Sequence, residues 1–315
     1  MLTEDRYNGV LLLNKPSGIS SHDAVMELRR IVKQRSIGHT GTLDPLAEGL
    51  LVICLGRATK IARFISEADK TYEAEVYLGI SSDTYDAEGA DYEAPARAVP
   101  ELSDKDFEKL LDEFRGEINQ KVPAFSAVRI DGKRLYQQAR RGQPVERPER
   151  TIKIHDIKLL DYRKPKIKIA VTCSRGTYIR TLAYDIGEKI GCGAHLSALK
   201  RTVVGKFTCD RALTLEETAR YCGVNKMEQH ILPIDQALDF GAIKITDEFS
   251  RAVVNGRFLS WRDVTGVEGN FSCGDNVLLK NDRGIVLAIG TAQVNSEDFK
   301  TQKGDQLFNY IRVLN

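Results

Sequence analysis

The stretch from Gly38 to Leu55 constrains the fold of this chain more than any other part of it. Its first half, GHTGTLDPLAEG, contains three glycines and an aspartate before a proline, so regular helix or strand is not expected there. Its second half, from Leu50 to Leu55, is a continuous apolar run that predicts a buried strand. Asp44 is therefore expected on a constrained loop against the core of a sheet, where proteins often present catalytic groups. An aspartate before a proline is also a common turn residue, and pattern alone does not separate the two interpretations.

Composition is that of an ordinary globular protein, with 315 residues, 42% of them hydrophobic and 29% charged. This length allows two domains. The N-terminal MLTEDR lacks the apolar core of a signal peptide, and no run of eighteen apolar residues exists, so we expect a soluble cytoplasmic protein without membrane contact. The six cysteines form no C-x-x-C pair, which favours reduced thiols over a disulfide framework or a zinc site.

Charge is distributed unevenly although the net charge is only +2. Residues 66–117 hold 5 basic and 16 acidic side chains, a balance of −11, whereas residues 121–211 hold 21 basic and 8 acidic ones, a balance of +13. This asymmetry indicates a positive surface directed at a polyanion, although clustered solvated faces would give the same pattern. Residues 241–315 are neutral, with 9 of each sign.

Hydrophobic periodicity predicts the order of elements in the chain. A first strand at residues 8–14 and a capped helix beginning near His22 precede the Asp44 loop. Further segments are a strand at 70–79, a helix at 103–115 and strands at 151–160 and 166–173. After residue 241, short apolar runs separated by turn residues indicate a small β-barrel.

Three motifs resemble the bacterial TruB family of tRNA pseudouridine synthases. They are GHTGTLDPLAEGLL around Asp44, the K-x-Y strand around Tyr72 and CSRGTYIR ending at Arg180; the Lys-Pro-x-Gly turn at Lys15 is a weaker match. The resemblance implies that Asp44 starts cleavage of the glycosidic bond, that Tyr72 packs on the target uracil and that Arg180 completes the catalytic set. A guanidinium beside Asp44 would keep the carboxylate ionised and oriented.

The resemblance also implies the remaining features of the protein. The fold is expected to be α/β (α+β type), with a large mixed, mainly antiparallel sheet flanked by helices and a C-terminal PUA-like barrel. Residues 1–240 would form the catalytic domain, with an RNA-clamping thumb segment at about 122–150, and residues 241–315 an RNA-binding domain. The substrate would be a uridine in the T-loop of tRNA, with no cofactor, no metal and no protein partner, and the protein is expected to be a monomer. The residues expected to contact the uridine or the RNA are His39, which would fill the stack vacated by the flipped base, Tyr178, Leu199, Lys15, Lys60, Arg140 and Arg141.

Two other functions fit some of the same residues. An RNA-binding protein that helps tRNA to fold without catalysis would carry the same basic segment and barrel. A carboxylate-dependent glycosidase would pair Asp44 with Glu48, but it would leave the basic segment unexplained. For the synthase itself, the residues do not decide whether Asp44 attacks the sugar or removes a sugar proton.

Overall fold

The computed structural model of the protein describes residues 5–89, 97–126, 128–130, 132–139, 141–142, 146–300 and 306–314. Within these ranges the helices are α1 (Ser21–Val32), α2 (Ala62–Ser66), α3 (Asp104–Asp112), α4 (Leu135–Ala139), α5 (Ile179–Ile190), α6 (Leu215–Gly223), α7 (Ile234–Ala237) and α8 (Ser250–Val254). The strands up to residue 173 are β1 (Gly9–Lys15), β2 (Ile37–His39), β3 (Glu48–Leu55), β4 (Lys70–Leu78), β5 (Gly116–Lys121), β6 (Arg129–Ile130), β7 (Lys133–Arg134), β8 (Glu149–Arg163) and β9 (Lys166–Cys173). The later strands are β10 (Ala194–Val204), β11 (Phe207–Thr208), β12 (Ile231–Leu232), β13 (Gly241–Ile245), β14 (Val264–Glu268), β15 (Asn276–Asn281), β16 (Val286–Ala292) and β17 (Phe308–Val313).

The larger sheet has ten strands, eight of them in the order β12-β1-β3-β10-β4-β9-β8-β5, with β2 paired to β3 and β11 to β10. Strand β3 lies near its centre and pairs antiparallel with β1 along seven residues. The pairing of β3 with β10 is parallel, while the other pairings of this sheet are antiparallel. The predicted mixed, mainly antiparallel sheet is therefore confirmed.

Successive side chains of β1 and β3 point to opposite faces of the sheet, so they pack in two different apolar cores. On one face, Leu11, Leu51 and Ile53 pack with the buried side of α1 and α5. On the other face, Val10 and Val52 belong to a second apolar cluster. Because both faces of β3 are covered, its sequence is a continuous apolar run and not an alternating pattern.

The second sheet contains five strands in the order β14-β13-β15-β16-β17. Its residues Leu278 and Ile289 pack in the same cluster as Val10 and Val52. This sheet, together with α2 and α7, therefore covers the face of β1 and β3 opposite to the one that packs with α1 and α5. A third cluster, which includes Phe249 and Phe308, fills the other side of the small sheet. This arrangement confirms the predicted second β unit after residue 241.

Helix α1 begins close to the residue at which the capping signal in the sequence predicts it. Ser20 accepts a hydrogen bond from the backbone of Asp23, and the Asp23 carboxylate accepts one from the Ser20 backbone, which is a complete capping box. The predicted first strand at 8–14 is observed at Gly9–Lys15, and the predicted helix at 103–115 at Asp104–Asp112. These differences of one to three residues are the usual uncertainty of element ends.

Candidate active site

The loop between β2 and β3 carries Asp44, and buried side chains hold its backbone. The Ser21 hydroxyl accepts a hydrogen bond from the Leu43 amide at 2.8 Å and donates one to the Leu43 carbonyl at 2.9 Å. Lys15 is fully buried and donates through Nζ to three backbone carbonyls, including that of Pro45 at 3.4 Å. Its burial lowers the pKa of Lys15 to about 8. As placed, Lys15 shapes the loop and does not face outward toward RNA.

Arg201 on β10 ties the two ends of this loop together. Its guanidinium is buried and donates through Nε to the Leu50 carbonyl at 2.8 Å and through Nη2 to the Gly41 carbonyl at 2.9 Å. Gly49 lies against the same strand with φ +98°, and a Cβ atom there would meet the Arg201 carbonyl oxygen at 2.4 Å. In the sequence, Arg201 belongs to the basic segment and to the stretch from Gly191 to Thr202 that resembles the family, but neither pattern assigns it a role. Its contacts join residues more than 150 positions apart, so no local pattern could have revealed them.

Asp44 forms an ion pair with Arg180, the second residue of α5. Arg180 Nε lies 2.8 Å from Asp44 Oδ2. The arginine side chain is 5% exposed and the aspartate side chain 36% exposed, so the carboxylate reaches solvent while its partner does not. The structure thus brings together two of the three predicted catalytic residues from positions 136 apart. A guanidinium in this geometry fixes the direction in which the carboxylate points.

A second carboxylate, Asp86, shares the same guanidinium. Asp86 Oδ2 lies 3.5 Å from Arg180 Nη1, and Asp86 is almost completely buried. Nη1 also donates to the Thr84 carbonyl at 3.0 Å and Nη2 to the Phe125 carbonyl at 3.1 Å. Burial raises the pKa of Asp86, and the neighbouring Arg180 charge opposes that rise. In the sequence Asp86 stands in a polar turn that resembles a surface loop, so the pattern gave no sign of its role.

A pocket of about 440 Å³ opens beside this ion pair. Tyr72, Tyr178 and Leu199 line it together with Asp44 and Arg180, so the predicted catalytic and uridine-lining residues meet in one cavity. Tyr72 is buried, and burial raises its pKa, so its hydroxyl is protonated at neutral pH. Apolar and aromatic walls with a few directed polar groups are typical of a small-molecule or nucleobase pocket.

Gln120, a buried residue at the end of β5, holds the entry of α5 in place. Its side chain accepts a hydrogen bond from the Tyr178 amide at 2.7 Å and donates one to the Tyr178 carbonyl at 3.0 Å. Both contacts are made to backbone, two residues before Arg180. Gln120 therefore positions the predicted pocket residue and the predicted catalytic residue together.

His39 occupies the end of β2, one residue before Thr40 on the pocket wall. Burial and, to a smaller extent, the Arg201 charge lower the pKa of His39, so the imidazole is neutral at neutral pH. Within the described part of the chain, its buried Nδ1 has no hydrogen-bond partner. A neutral, half-buried ring one residue away from the pocket wall in the sequence is suited to stacking on a base.

Of the other predicted RNA-contacting residues, the described ones, Lys15, Lys60 and Arg141, do not line the pocket. Lys60 lies in the 3₁₀ turn after β3, and its Nζ donates to the Val313 carbonyl of the C-terminal strand at 3.3 Å. Arg141 is exposed on the thumb segment (residues 122–150), and Arg140 lies outside the described residues. From the same segment, Phe125 and Tyr136 line a second cavity next to Asp44, so this segment adjoins the predicted site.

Among the described residues, no group of three or more histidine, cysteine, aspartate or glutamate side chains is placed to hold a metal ion. In the same part of the chain, no helix combines the length and apolar character needed to span a bilayer. The polar side chains that line the pocket include the Asp44 carboxylate, the Tyr72 hydroxyl and the Arg180 guanidinium.

Comparison with known protein families gives three consecutive matches along the chain. Residues 29–179 match the N-terminal domain of the TruB family pseudouridylate synthases, and residues 180–239 match the C-terminal domain of tRNA pseudouridylate synthase B. Residues 241–314 match the PUA domain. The boundary between the first two matches falls between Ile179 and Arg180, inside the candidate site.

Individual relatives agree with these matches. The chain is 42% identical over 290 residues to tRNA pseudouridine synthase B of Bacillus licheniformis, covering 90% of this chain and 92% of the relative. It is 43% identical over 289 residues to the Bacillus subtilis protein of the same name, with the same coverage. Among solved structures, a chain of a Cbf5-Nop10-Gar1 complex is 26% identical with a TM-score of 0.74, covering 98% of this chain and 85% of that one.

Proposed function

The chain belongs to the TruB family of tRNA pseudouridine synthases, and from this premise we propose that it isomerises a uridine in the T-loop of tRNA to pseudouridine. The observation that carries the proposal is the Asp44–Arg180 ion pair at 2.8 Å on the wall of a pocket that Tyr72 also lines. A carboxylate, a phenol and an apolar wall in one cavity match the needs of a reaction on a nucleobase and its sugar.

The reaction exchanges one bond for another within a single nucleotide. The bond between N1 of uracil and C1′ of the ribose breaks, the base turns, and a bond forms between C5 and C1′. The proton on C5 leaves, and N1 gains a proton, so the conversion is redox-neutral and consumes no co-substrate. Asp44 starts the cleavage, either by attacking the sugar as a nucleophile or by removing a sugar proton.

Access to the base requires that it leave the folded loop. Flipping one nucleotide costs about a few kcal/mol. The neutral His39 ring, one residue before the pocket residue Thr40, would occupy the vacated stack, while Tyr72 and Leu199 would enclose the extruded uracil. The buried Arg180 guanidinium would hold Asp44 in one orientation throughout, so the carboxylate need not reorganise when charge develops on the sugar.

Binding of the RNA would use the positive side chains around the pocket. We assign the grip on the T-arm to the thumb segment, where Arg141 is exposed, and to the PUA domain after residue 240. We propose that the protein acts as a monomer in the cytoplasm, with residues 1–240 as catalytic domain and residues 241–315 as RNA-binding domain.

Tritium release from an unmodified T-arm hairpin labelled at C5 of uridine tests the proposal. We expect release by the wild type and none by Asp44→Asn, with similar binding of the hairpin by both proteins. Tight binding without release by either protein would replace the isomerase with an RNA-folding role. Release of free uracil would indicate a glycosidase instead.

A further inference from the structure

Tyr85 adopts a backbone conformation that a bulky residue rarely takes. Its φ is +65°, in the left-handed region, which is strained for a non-glycine residue. The two residues beside it both hold Arg180, Thr84 through its carbonyl at 3.0 Å and Asp86 through its carboxylate at 3.5 Å. The unusual conformation at Tyr85 is therefore what allows consecutive parts of one turn to face the same guanidinium.

Two contacts hold the Tyr85 side chain in this conformation. Its ring stacks on that of Tyr184 in α5, with centroids 4.2 Å apart and planes 24° apart. Its hydroxyl accepts a hydrogen bond from Arg147 Nη1 at 2.7 Å. A cavity of about 490 Å³ lies beside these three side chains, so the ring has space into which it would move if the contacts were lost.

Arg147 belongs to the returning end of the thumb segment. The base of this segment closes where the Val122 amide donates to the Pro148 carbonyl at 3.0 Å, one residue after Arg147. At its outgoing end, the Phe125 carbonyl accepts a hydrogen bond directly from Arg180 at 3.1 Å. Both ends of the thumb segment therefore reach the Arg180 guanidinium, one directly and one through Tyr85.

We propose that Tyr85 is a positioning residue through which Arg147, at the base of the thumb segment, supports the Asp44–Arg180–Asp86 arrangement. When Arg147 holds the hydroxyl, the turn presents Thr84 and Asp86 to the guanidinium. When Arg147 is drawn away, the Tyr85 backbone relaxes and the guanidinium loses two of its partners. The inference rests on the proposed isomerase function, because it concerns the rate of that reaction.

The competing role for Arg147 is a direct contact with an RNA phosphate. The two roles differ in what they predict for Tyr85. A phosphate contact would weaken RNA binding when Arg147 is changed and would leave the tyrosine hydroxyl without effect. Coupling through Tyr85 would make both changes slow the chemical step, and would make the second change ineffective once the first is present.

A double-mutant cycle with Tyr85→Phe and Arg147→Gln distinguishes these outcomes. The rate constant is measured in single turnover with C5-tritiated T-arm hairpin at saturating enzyme, and the dissociation constant with the same hairpin in an Asp44→Asn background. We expect each single variant and the double variant to be about tenfold slower than the wild type, with little change in binding. Tyr221→Phe in α6 and Arg163→Gln, whose side chain is 85% exposed, serve as matched controls with wild-type rates.

Other results would overturn the inference. Multiplicative losses of about a hundredfold in the double variant, or weaker binding by Arg147→Gln beside a silent Tyr85→Phe, would show that the two residues act separately. Tyr85→Asn keeps a residue that tolerates left-handed backbone but removes the ring, and a wild-type rate for it would also exclude the role. An inactive wild type would overturn the proposed function itself, whereas an active wild type with unaffected variants would overturn only this inference.

Discussion

Tyr72 and Arg201 stand opposite each other in the antiparallel pair of β4 and β10. Arg201 also binds the carbonyls at both ends of the loop that carries Asp44. Arg201 therefore contacts both the strand that carries Tyr72 and the loop that carries Asp44, although these two residues lie on different elements. A displacement of Arg201 would therefore change the distance between Asp44 and Tyr72 as well as the stability of the loop.

Replacing Arg201 should show how much it contributes to the stability of the protein and how much to the rate of the reaction. Arg201→Met leaves several buried carbonyls unsatisfied, at about 1–3 kcal/mol each, so we expect a lower free energy of unfolding and a large loss of rate. Arg201→Lys retains the charge and some of the hydrogen bonds, and should fall between methionine and the wild type in both measurements. Urea unfolding and single-turnover tritium release provide the two readouts. A methionine variant with wild-type rate would contradict the role assigned to Arg201.

Arg180→Lys should slow the reaction without weakening RNA binding. Lysine keeps the positive charge but lacks the planar fork that reaches Asp44, Asp86 and two carbonyls at once. We expect the single-turnover rate constant to fall by about a hundredfold, the usual effect of a misplacement near 1 Å. Arg163→Lys on the exposed surface is the control. A loss confined to the dissociation constant of the hairpin would be inconsistent with this expectation.

Gly49→Ala should disturb the catalytic loop by direct overlap. The new Cβ would lie 2.4 Å from the Arg201 carbonyl oxygen, and the residue has φ +98°. Gly116→Ala is a matched control, because Gly116 has φ +95° but no atom within 4 Å of the position of its Cβ. Each substitution carries about 1–3 kcal/mol of backbone strain, so we expect Gly49→Ala to lose more stability than Gly116→Ala and to lose activity as well. Equal losses in urea unfolding would mean that the overlap is relieved at little cost.

Lys15 predicts a specific dependence of stability on pH. Its folded-state pKa of about 8 lies below the ordinary value of 10.5, so between these values the unfolded chain binds a proton that the folded chain does not. The contribution of Lys15 to the free energy of unfolding should therefore rise as the pH increases from about 8 to 10.5. Subtracting the pH profile of Lys15→Met from that of the wild type isolates this contribution. A flat difference over that range would show that the lysine stays charged in its buried site.

The sequence predicted the parts of the site that depend on short-range patterns. The glycine-rich loop before an apolar strand placed Asp44 correctly against the sheet, and the motifs around Tyr72 and Arg180 identified residues that line the same pocket. Capping signals and apolar periodicity located the helices and strands to within a few residues.

Contacts between distant positions were beyond those patterns. Asp86 and Arg201 act through partners far away in the chain, and nothing in their neighbourhood distinguishes them from surface residues. Lys15 and Lys60 were predicted to contact the uridine or the RNA, and the structure adds what no pattern indicated, that the Nζ of each donates to a backbone carbonyl. The direction in which a side chain points depends on the residues packed around it. The composition of the sequence and the spacing of its motifs do not contain this information.

The core shared by the two sheets limits how the protein can change over evolution. Because Leu278 and Ile289 of the small sheet pack with Val10 and Val52 of the large one, the C-terminal unit supplies part of the interior of its neighbour. Loss or exchange of that unit would expose the back of the strand that leads out of the Asp44 loop. Substitutions on the outer surface of this unit leave the shared core intact, whereas substitutions on its inner surface alter the packing against Val10 and Val52.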